Sequence, residues 1–259
     1  MKAKETTREN WNKMARAYED FNTGDDSYSV CIEIPTIKEM LPELAGKRVL
    51  DVGCGTGIFT FWFEQYKPQR LVGIDLSEEM LKIAEEKKQE RGSAAEFVAG
   101  DAAETDKYIK EKFDFIFSST TSHYISDLNK LLGGLANMLE DDGEMIFSII
   151  HPVYSAQYPK AHGDKFPEDE EWVVNYLDHS ERAYIQPWIE YNDEIENFLS
   201  KSCHHTMSDY MKAIRQAGLY VDRMEEPEPP KEWAETMPGH YYAFVETPAY
   251  MILKLKKLK

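Results

Sequence analysis

Short apolar runs alternate with helical stripes over most of the first 150 residues. Residues 49–52, 70–74, 96–99, 113–117 and 144–150 are rich in Val, Ile, Leu and Phe, the signature of strands buried on both faces of a parallel sheet. Between them, apolar positions recur every three or four residues. A helix is expected over 58–66, and another opens at Ser77, carries Met80, Leu81 and Ala84, and stops at Gly92. Leu128, Leu131, Leu132, Leu135, Met138 and Leu139 form a third stripe, and Asp141 to Gly143 reads as the turn into the fifth strand. Upstream, Trp11, Met14, Ala15 and Tyr18 share one face of a helix predicted to start near Thr6 or Thr7. A second helical segment is predicted over 28–40, with Pro35 breaking or kinking it.

The alternation stops after His151. Residues 152–205 hold aromatic patches and no long helical period, with an antiparallel pair expected between 183–189 and 195–203 and its turn near Asn192 and Asp193. It resumes with a helix capped by Thr206, a strand over 219–224, a proline-rich loop over 225–238 and a last strand over 249–255 that returns as a hairpin, without a crossover helix. The pattern predicts an α/β fold: one doubly wound, mostly parallel, seven-stranded sheet with an antiparallel last strand. The single domain divides into an N-terminal helical cover (1–44), a core (45–151), an insertion after strand five (152–205) expected to be a lid over a site or else an interface, and a C-terminal part of the sheet (206–259).

Composition narrows the classes. An apolar fraction of 42% supports a packed core, and a formal charge of −17 opposes binding to nucleic-acid phosphates. Cys31, Cys54 and Cys203 are too few and too scattered for a disulfide framework or a zinc site, so no metal is expected and a reducing compartment is. No run approaches the ~18 apolar residues of a membrane helix, and no apolar leader is visible. The expectation is a cytoplasmic protein, monomer or homodimer.

The candidate chemistry begins at Gly53, Gly55 and Gly57, where a strand turns tightly into a helix and leaves backbone N–H groups for a ligand. A dinucleotide fold requires G-x-G-x-x-G, but the spacing here is G-x-G-x-G, with Ile58 in place of the third glycine of the fingerprint. Asp51, ahead of the loop, suits a cofactor with a positive group better than a pyrophosphate.

These residues, with Gly73-Ile-Asp-Leu-Ser77 and Met80, Gly100-Asp-Ala102 and the run Ser118 to Tyr124, resemble the class I S-adenosylmethionine-dependent methyltransferases. The resemblance is strong over 45–150 and looser over the flanks, and it implies a Rossmann-like sheet with S-adenosylmethionine bound at the strand ends. It implies that Gly53, Cys54, Gly55 and Gly57 pass beside the methionine part, with Asp51 near its ammonium. Asp75 would accept both ribose hydroxyls, Leu76 and Met80 would pack on adenine, and Asp101 would accept from its amine with Ala102 alongside. Ser118 would border the methyl group, and Tyr18 would help close the pocket.

Methyl transfer needs a base only where the acceptor is protonated, and His123, His151, His204 and His205 are the histidines near the expected site. His123 and His151, each following a strand end, are the expected catalytic residues. Tyr124, Trp188 and His204 are expected to contact the acceptor. Ser118 to Thr121 replace the Asn/Asp-Pro-Pro-aromatic run of the family's amino-methylating adenine enzymes. A small-molecule O- or N-acceptor therefore leads, against a protein or tRNA acceptor or a non-catalytic cofactor-binding protein.

Overall fold

The computed structural model describes residues 2–24, 27–160, 174–186, 189 and 198–259. Its main sheet contains β1 (Arg48–Val52), β2 (Arg70–Asp75), β3 (Glu96–Ala99), β4 (Phe113–Ser119), β5 (Leu139–Ile150), β8 (Leu219–Glu225) and β9 (Tyr250–Lys257). The spatial order is β3-β2-β1-β4-β5-β9-β8. β1 to β5 pair in parallel, while β9 runs antiparallel to both β5 and β8 between them. A separate pair, β6 (Arg182–Tyr184) with β7 (Ser200–Ser202), is the antiparallel pair expected in the insertion, in shortened form; its turn lies outside the described residues.

Alternation along the strands makes two core layers. Leu50 and Val52 of β1 face α6 (Leu128–Met138) and α8 (Met207–Gln216), which follow the one-turn helices α5 (Thr105–Tyr108) and α7 (Pro152–Ser155), and are joined by Val72, Ile74 and Phe147. Val49 faces the other way, with Phe115, Phe117 and Ile146, under α2 (Ile34–Met40) and α3 (Ile58–Phe63). α4 (Glu78–Arg91) packs Met80 and Ile83 against Ala15 of α1 (Lys2–Asn22), so α1 lies across the C-terminal edge of the sheet.

Three expectations need correction. α1 begins at Lys2, not Thr6 or Thr7, because no proline or glycine interrupts the preceding residues. β5 begins at Leu139: Leu139 pairs with Phe113 and Glu144 with Phe115, so the acidic turn is an irregularity within the strand. The β8–β9 connection is antiparallel as expected but contains α9 (Trp233–Thr236) and α10 (Pro238–Glu246). Trp233 and Phe244 are buried with Ile32 and Tyr250, which gives this polar-looking segment its own apolar anchor.

The described insertion residues are gathered by a buried cation. Arg182 is wholly buried and donates to the Ser180 carbonyl (3.0 Å) and hydroxyl (2.8 Å) and to the carbonyls of Asn175 (3.0 Å) and Asp178 (2.7 Å). Arg182→Leu strands those acceptors and is expected to cost about 2–4 kcal/mol. Denaturant unfolding and hydrogen exchange of 174–180 check this; unchanged protection of those amides would remove the anchoring role.

Candidate active site

A cavity of about 500 Å³ opens at the C-terminal ends of β1, β2 and β4, beneath α1. Its floor is the loop from β1 to α3. Gly53 has φ +75° and a Cβ there would lie 1.9 Å from Thr121 Oγ1, so only glycine fits. At Gly55, also left-handed, a Cβ would meet only the Tyr18 ring edge at 3.9 Å, leaving bare backbone toward the cavity.

Asp75 ends β2 and accepts the N–H of Gly55 (2.9 Å) and Ser77 (2.8 Å), which fixes its carboxylate against the loop. Burial raises its pKa. Ser77 accepts from the Met80 N–H as the cap of α4 and donates to Asn12 Oδ1 at 2.6 Å, tying α1 over this corner. Asp101 accepts the Ala103 N–H at 2.9 Å and pairs with Lys4 Nζ of α1 at 2.7 Å. Leu76, Met80 and Ala102 supply an apolar wall between the two acids. Trp11 and Tyr18 of α1 meet edge to face at 5.5 Å and cover the loop.

Past β4 the lining changes. Ser119 ends β4, Thr120, Thr121, His123 and Tyr124 follow it, and Tyr154, Tyr158, Tyr184, Gln186 and Tyr250 complete a second lobe. Thr120 holds φ +47°, a left-handed conformation costly for a β-branched residue, and such strain gathers at functional sites.

The structure thus brings Tyr18, Gly53, Gly55, Asp75, Leu76, Met80, Asp101, Ala102, His123 and Tyr124 to one cavity. Other expected residues stand apart. Asp51 lies on the Val49 face of β1, under α3, where it accepts from the Thr60 hydroxyl at 2.5 Å; burial pushes its pKa up to about 7. The Cys54 side chain fills the space above Gly73, and burial raises its thiol pKa. Gly57 packs against Phe61 and Phe97. Ser118 donates to the Val52 carbonyl at 2.9 Å, and the next residue, Ser119, takes the place at the cavity wall.

Two histidines are structural in their contacts. His151 Nδ1 accepts the Val153 N–H (3.1 Å) and its Nε2 meets the Glu226 carboxylate (2.8 Å), so it caps the turn Pro152–Ser155, outside the cavity lining. His204 Nε2 donates to the Tyr176 carbonyl at 2.8 Å, leaving Nδ1 to accept from Ser155 at 2.9 Å; it too lies outside the lining. Trp188 falls outside the described residues. His205 donates to the Ile125 carbonyl at 2.8 Å.

The sequence reading missed Glu33. This acid is wholly buried and accepts from the hydroxyls of Ser29 (3.0 Å), Ser119 (2.6 Å) and Ser148 (2.6 Å). Its one sequence signal is an acid set between Ile32 and Ile34 in an otherwise apolar turn.

A family model described as a methyltransferase domain matches residues 43–218, more than half of the chain. The chain belongs to the S-adenosylmethionine-dependent methyltransferases. An uncharacterized Haemophilus influenzae protein is 28% identical over 81% of this chain and 82% of its own length. The juvenile hormone acid O-methyltransferase of Bombyx mori is 30% identical over 57% of this chain and 52% of that enzyme. The structure of a Mesorhizobium loti S-adenosylmethionine-dependent methyltransferase, 24% identical, superposes with a TM-score of 0.66 over 87% of this chain and 97% of its own. The seven-stranded methyltransferase sheet is therefore present, with the cavity at its C-terminal edge as open α/β sheets require. Among the described residues, no helix is long and apolar enough to cross a membrane.

Burial gives this methyltransferase an opposed pair of pH dependences. His123 is held down to about 3 by desolvation and then by His205. The unfolded chain binds that proton first, near pH ~6.5, so His123 removes stability as pH falls from there toward about 3. Asp51 has the opposite sign: its stabilising contribution, present at low pH, is lost as pH rises toward about 7. His123→Phe is expected to flatten the acid side of the stability profile, and Asp51→Asn to raise stability at pH 7 and above. Urea melts across pH check both; parallel profiles for wild type and variants would dismiss them.

Proposed function

We propose that the cavity binds S-adenosylmethionine in its Gly53–Asp75–Asp101 half and a small-molecule acceptor, with a nitrogen or oxygen nucleophile, in its tyrosine-rich half. The juxtaposition of these halves in one covered cavity carries the reading. The residues fit the cofactor: the bare backbone at Gly55 can approach it closely, Asp75 keeps free lone pairs for two hydroxyls, and the wall between the acids accepts a flat base. About 500 Å³ lies within the range of roughly 300–1,000 Å³ usual for small-ligand pockets. The relatives named above include one whose name states a small-molecule acid as acceptor.

When bound, the cofactor supplies a methyl group on a positively charged sulfur. The protein's task is orientation and exclusion of water. Trp11 and Tyr18 roof the loop, and Tyr124 meets Trp11 edge to face at 5.5 Å where the halves join. Burial keeps the tyrosine hydroxyls un-ionised, since Tyr124, Tyr158 and Tyr250 are all pushed well above their ordinary pKa. They serve as neutral donors and acceptors. His123, neutral down to about pH 3, is a positioning group whose ionisation adds no limb to the activity profile between about pH 5 and 8.

Calorimetry with S-adenosylhomocysteine and assay of its release from S-adenosylmethionine with a panel of small amines, alcohols and acids test the reading. Saturable binding and acceptor-dependent release are expected. Binding without release with any acceptor would leave a cofactor-binding protein, and no binding would dismiss the cofactor half.

A further inference from the structure

Resting on that reading of the site, we infer that the acceptor is a small organic cation or amine, with buried Glu33 as its counter-charge. Glu33 has no exposed surface, and no Lys, Arg or His pairs with it among the described residues. Three serine hydroxyls donate to it. They hold both carboxylate oxygens and work against the rise in pKa that burial causes, and a cation seated beyond Ser29 and Ser119 would act in the same direction. Two of those serines, Ser29 and Ser119, line the acceptor half, so Glu33 stands one hydroxyl behind the cavity wall.

The rest of the lobe has the same bias. Lys4 and Lys130 are the lysines of the described lining, and both belong to the Asp101 end, where Lys4 pairs with Asp101 and Lys130 with Glu104. The acceptor half presents aromatic rings instead. Tyr158 stacks on Tyr184 at 4.1 Å and 18°, Tyr154 meets Tyr158 edge to face at 5.6 Å, and Tyr250 closes the wall next to Glu33's field. Ring faces and un-ionised hydroxyl oxygens attract an ammonium, while an anion would find no lysine or arginine there among the described residues. A carboxylate or phosphate acceptor is disfavoured accordingly.

The chemistry is consistent with this polarity. An acceptor nitrogen that arrives as an ammonium first releases a proton to solvent, and the lone pair so freed forms the N–CH3 bond as the bond from that carbon to the donor sulfur breaks. The electron pair of the broken bond stays on sulfur, and the positive charge passes to nitrogen. The product is therefore a cation in the half of the cavity whose described lining has aromatic rings, Glu33 behind Ser29 and Ser119, and no lysine.

Choline and 3,3-dimethylbutan-1-ol, its uncharged isostere, are the probes, titrated by calorimetry into the full chain with and without saturating S-adenosylhomocysteine. Choline is expected to bind about tenfold or more tightly than the isostere. Glu33→Gln, which keeps an acceptor for the serines, should abolish most of that preference, and Tyr158→Leu should reduce it from a separate wall. S-adenosylhomocysteine affinity should fall less than choline affinity in both variants, because the Asp75 contacts are unchanged and Glu33 acts on the cofactor half through its field at Tyr18. Equal or tighter binding of the isostere by wild type would overturn the inference, as would an unchanged preference in folded Glu33→Gln. Failure of S-adenosylhomocysteine to bind would instead count against the cofactor reading, since the choline comparison is also made without it.

Discussion

Asp75→Ala is expected to weaken S-adenosylhomocysteine binding by about 100-fold or more. Two charge-assisted hydrogen bonds to ribose hydroxyls contribute about 1.5–3 kcal/mol each, and both vanish together. The substitution also frees the Gly55 and Ser77 N–H groups, which now donate to that carboxylate at 2.9 and 2.8 Å. Loop order is lost with the ligand contact. Asp75→Asn separates the two effects, because its single carbonyl oxygen can still accept one backbone bond. Its affinity should fall between wild type and alanine. Calorimetry decides: wild-type affinity in Asp75→Ala removes this residue from the cofactor site.

Gly53→Ala is expected to be strongly disruptive for the addition of a single methyl group. Its backbone is left-handed at φ +75°, and the new Cβ would sit 1.9 Å from Thr121 Oγ1. The left-handed penalty of about 1–2 kcal/mol and overpacking of about 1–3 kcal/mol together predict a loss of 2–5 kcal/mol, or on the order of 10 °C in Tm. Thr121 bonds the Val52 and Ser119 carbonyls, so relieving the clash disturbs the wall shared by both halves of the cavity. Activity should fall further than stability explains, even at low temperature. A variant that melts like wild type and turns over normally would contradict the packing argument.

Much of the sheet was legible because buried parallel strands are apolar runs, and Gly, Ser and Asp mark their ends. Asp75 and Asp101 stood out by the same token, since Asp75 ends β2 and Asp101 comes two residues after β3. Asp51 shows the limit of that logic. Its place inside β1 assigns it to the Val49 face by the two-residue period, which points it at Thr60 of α3. Proximity in sequence to the loop suggested a ligand contact, while strand sidedness pointed to an internal one. Ser118 and Ser119 differ for the same reason, since adjacent strand residues face opposite layers.

The histidines were chosen by strand position, yet partner availability governs their roles. His151 and His204 each have both ring nitrogens engaged, whereas His123 Nδ1 is buried without a hydrogen-bond partner at the cavity. Glu33, Tyr154, Tyr158 and Tyr184 come from segments with no strand-end signature, brought to the site by long-range packing. The helices α9 and α10 were hidden by prolines that reside at or before their first turns, where proline is tolerated.

The position of β9 has a consequence for how the molecule is made. Among the described residues β8 has β9 as its one sheet neighbour, and β5 would present an open, apolar edge without it. During synthesis, β1 to β5 and their glycine loop emerge with every parallel neighbour they need, while β8 must wait some 25 residues for its partner. Until residues 250–257 leave the ribosome, the strand that later supplies Tyr250 to the cavity is missing and the edge of β5 is exposed to other chains. A ribosome stalled before Tyr250 therefore holds a sheet lacking the one strand that joins β5 to β8, with its glycine loop already made and its acceptor wall incomplete.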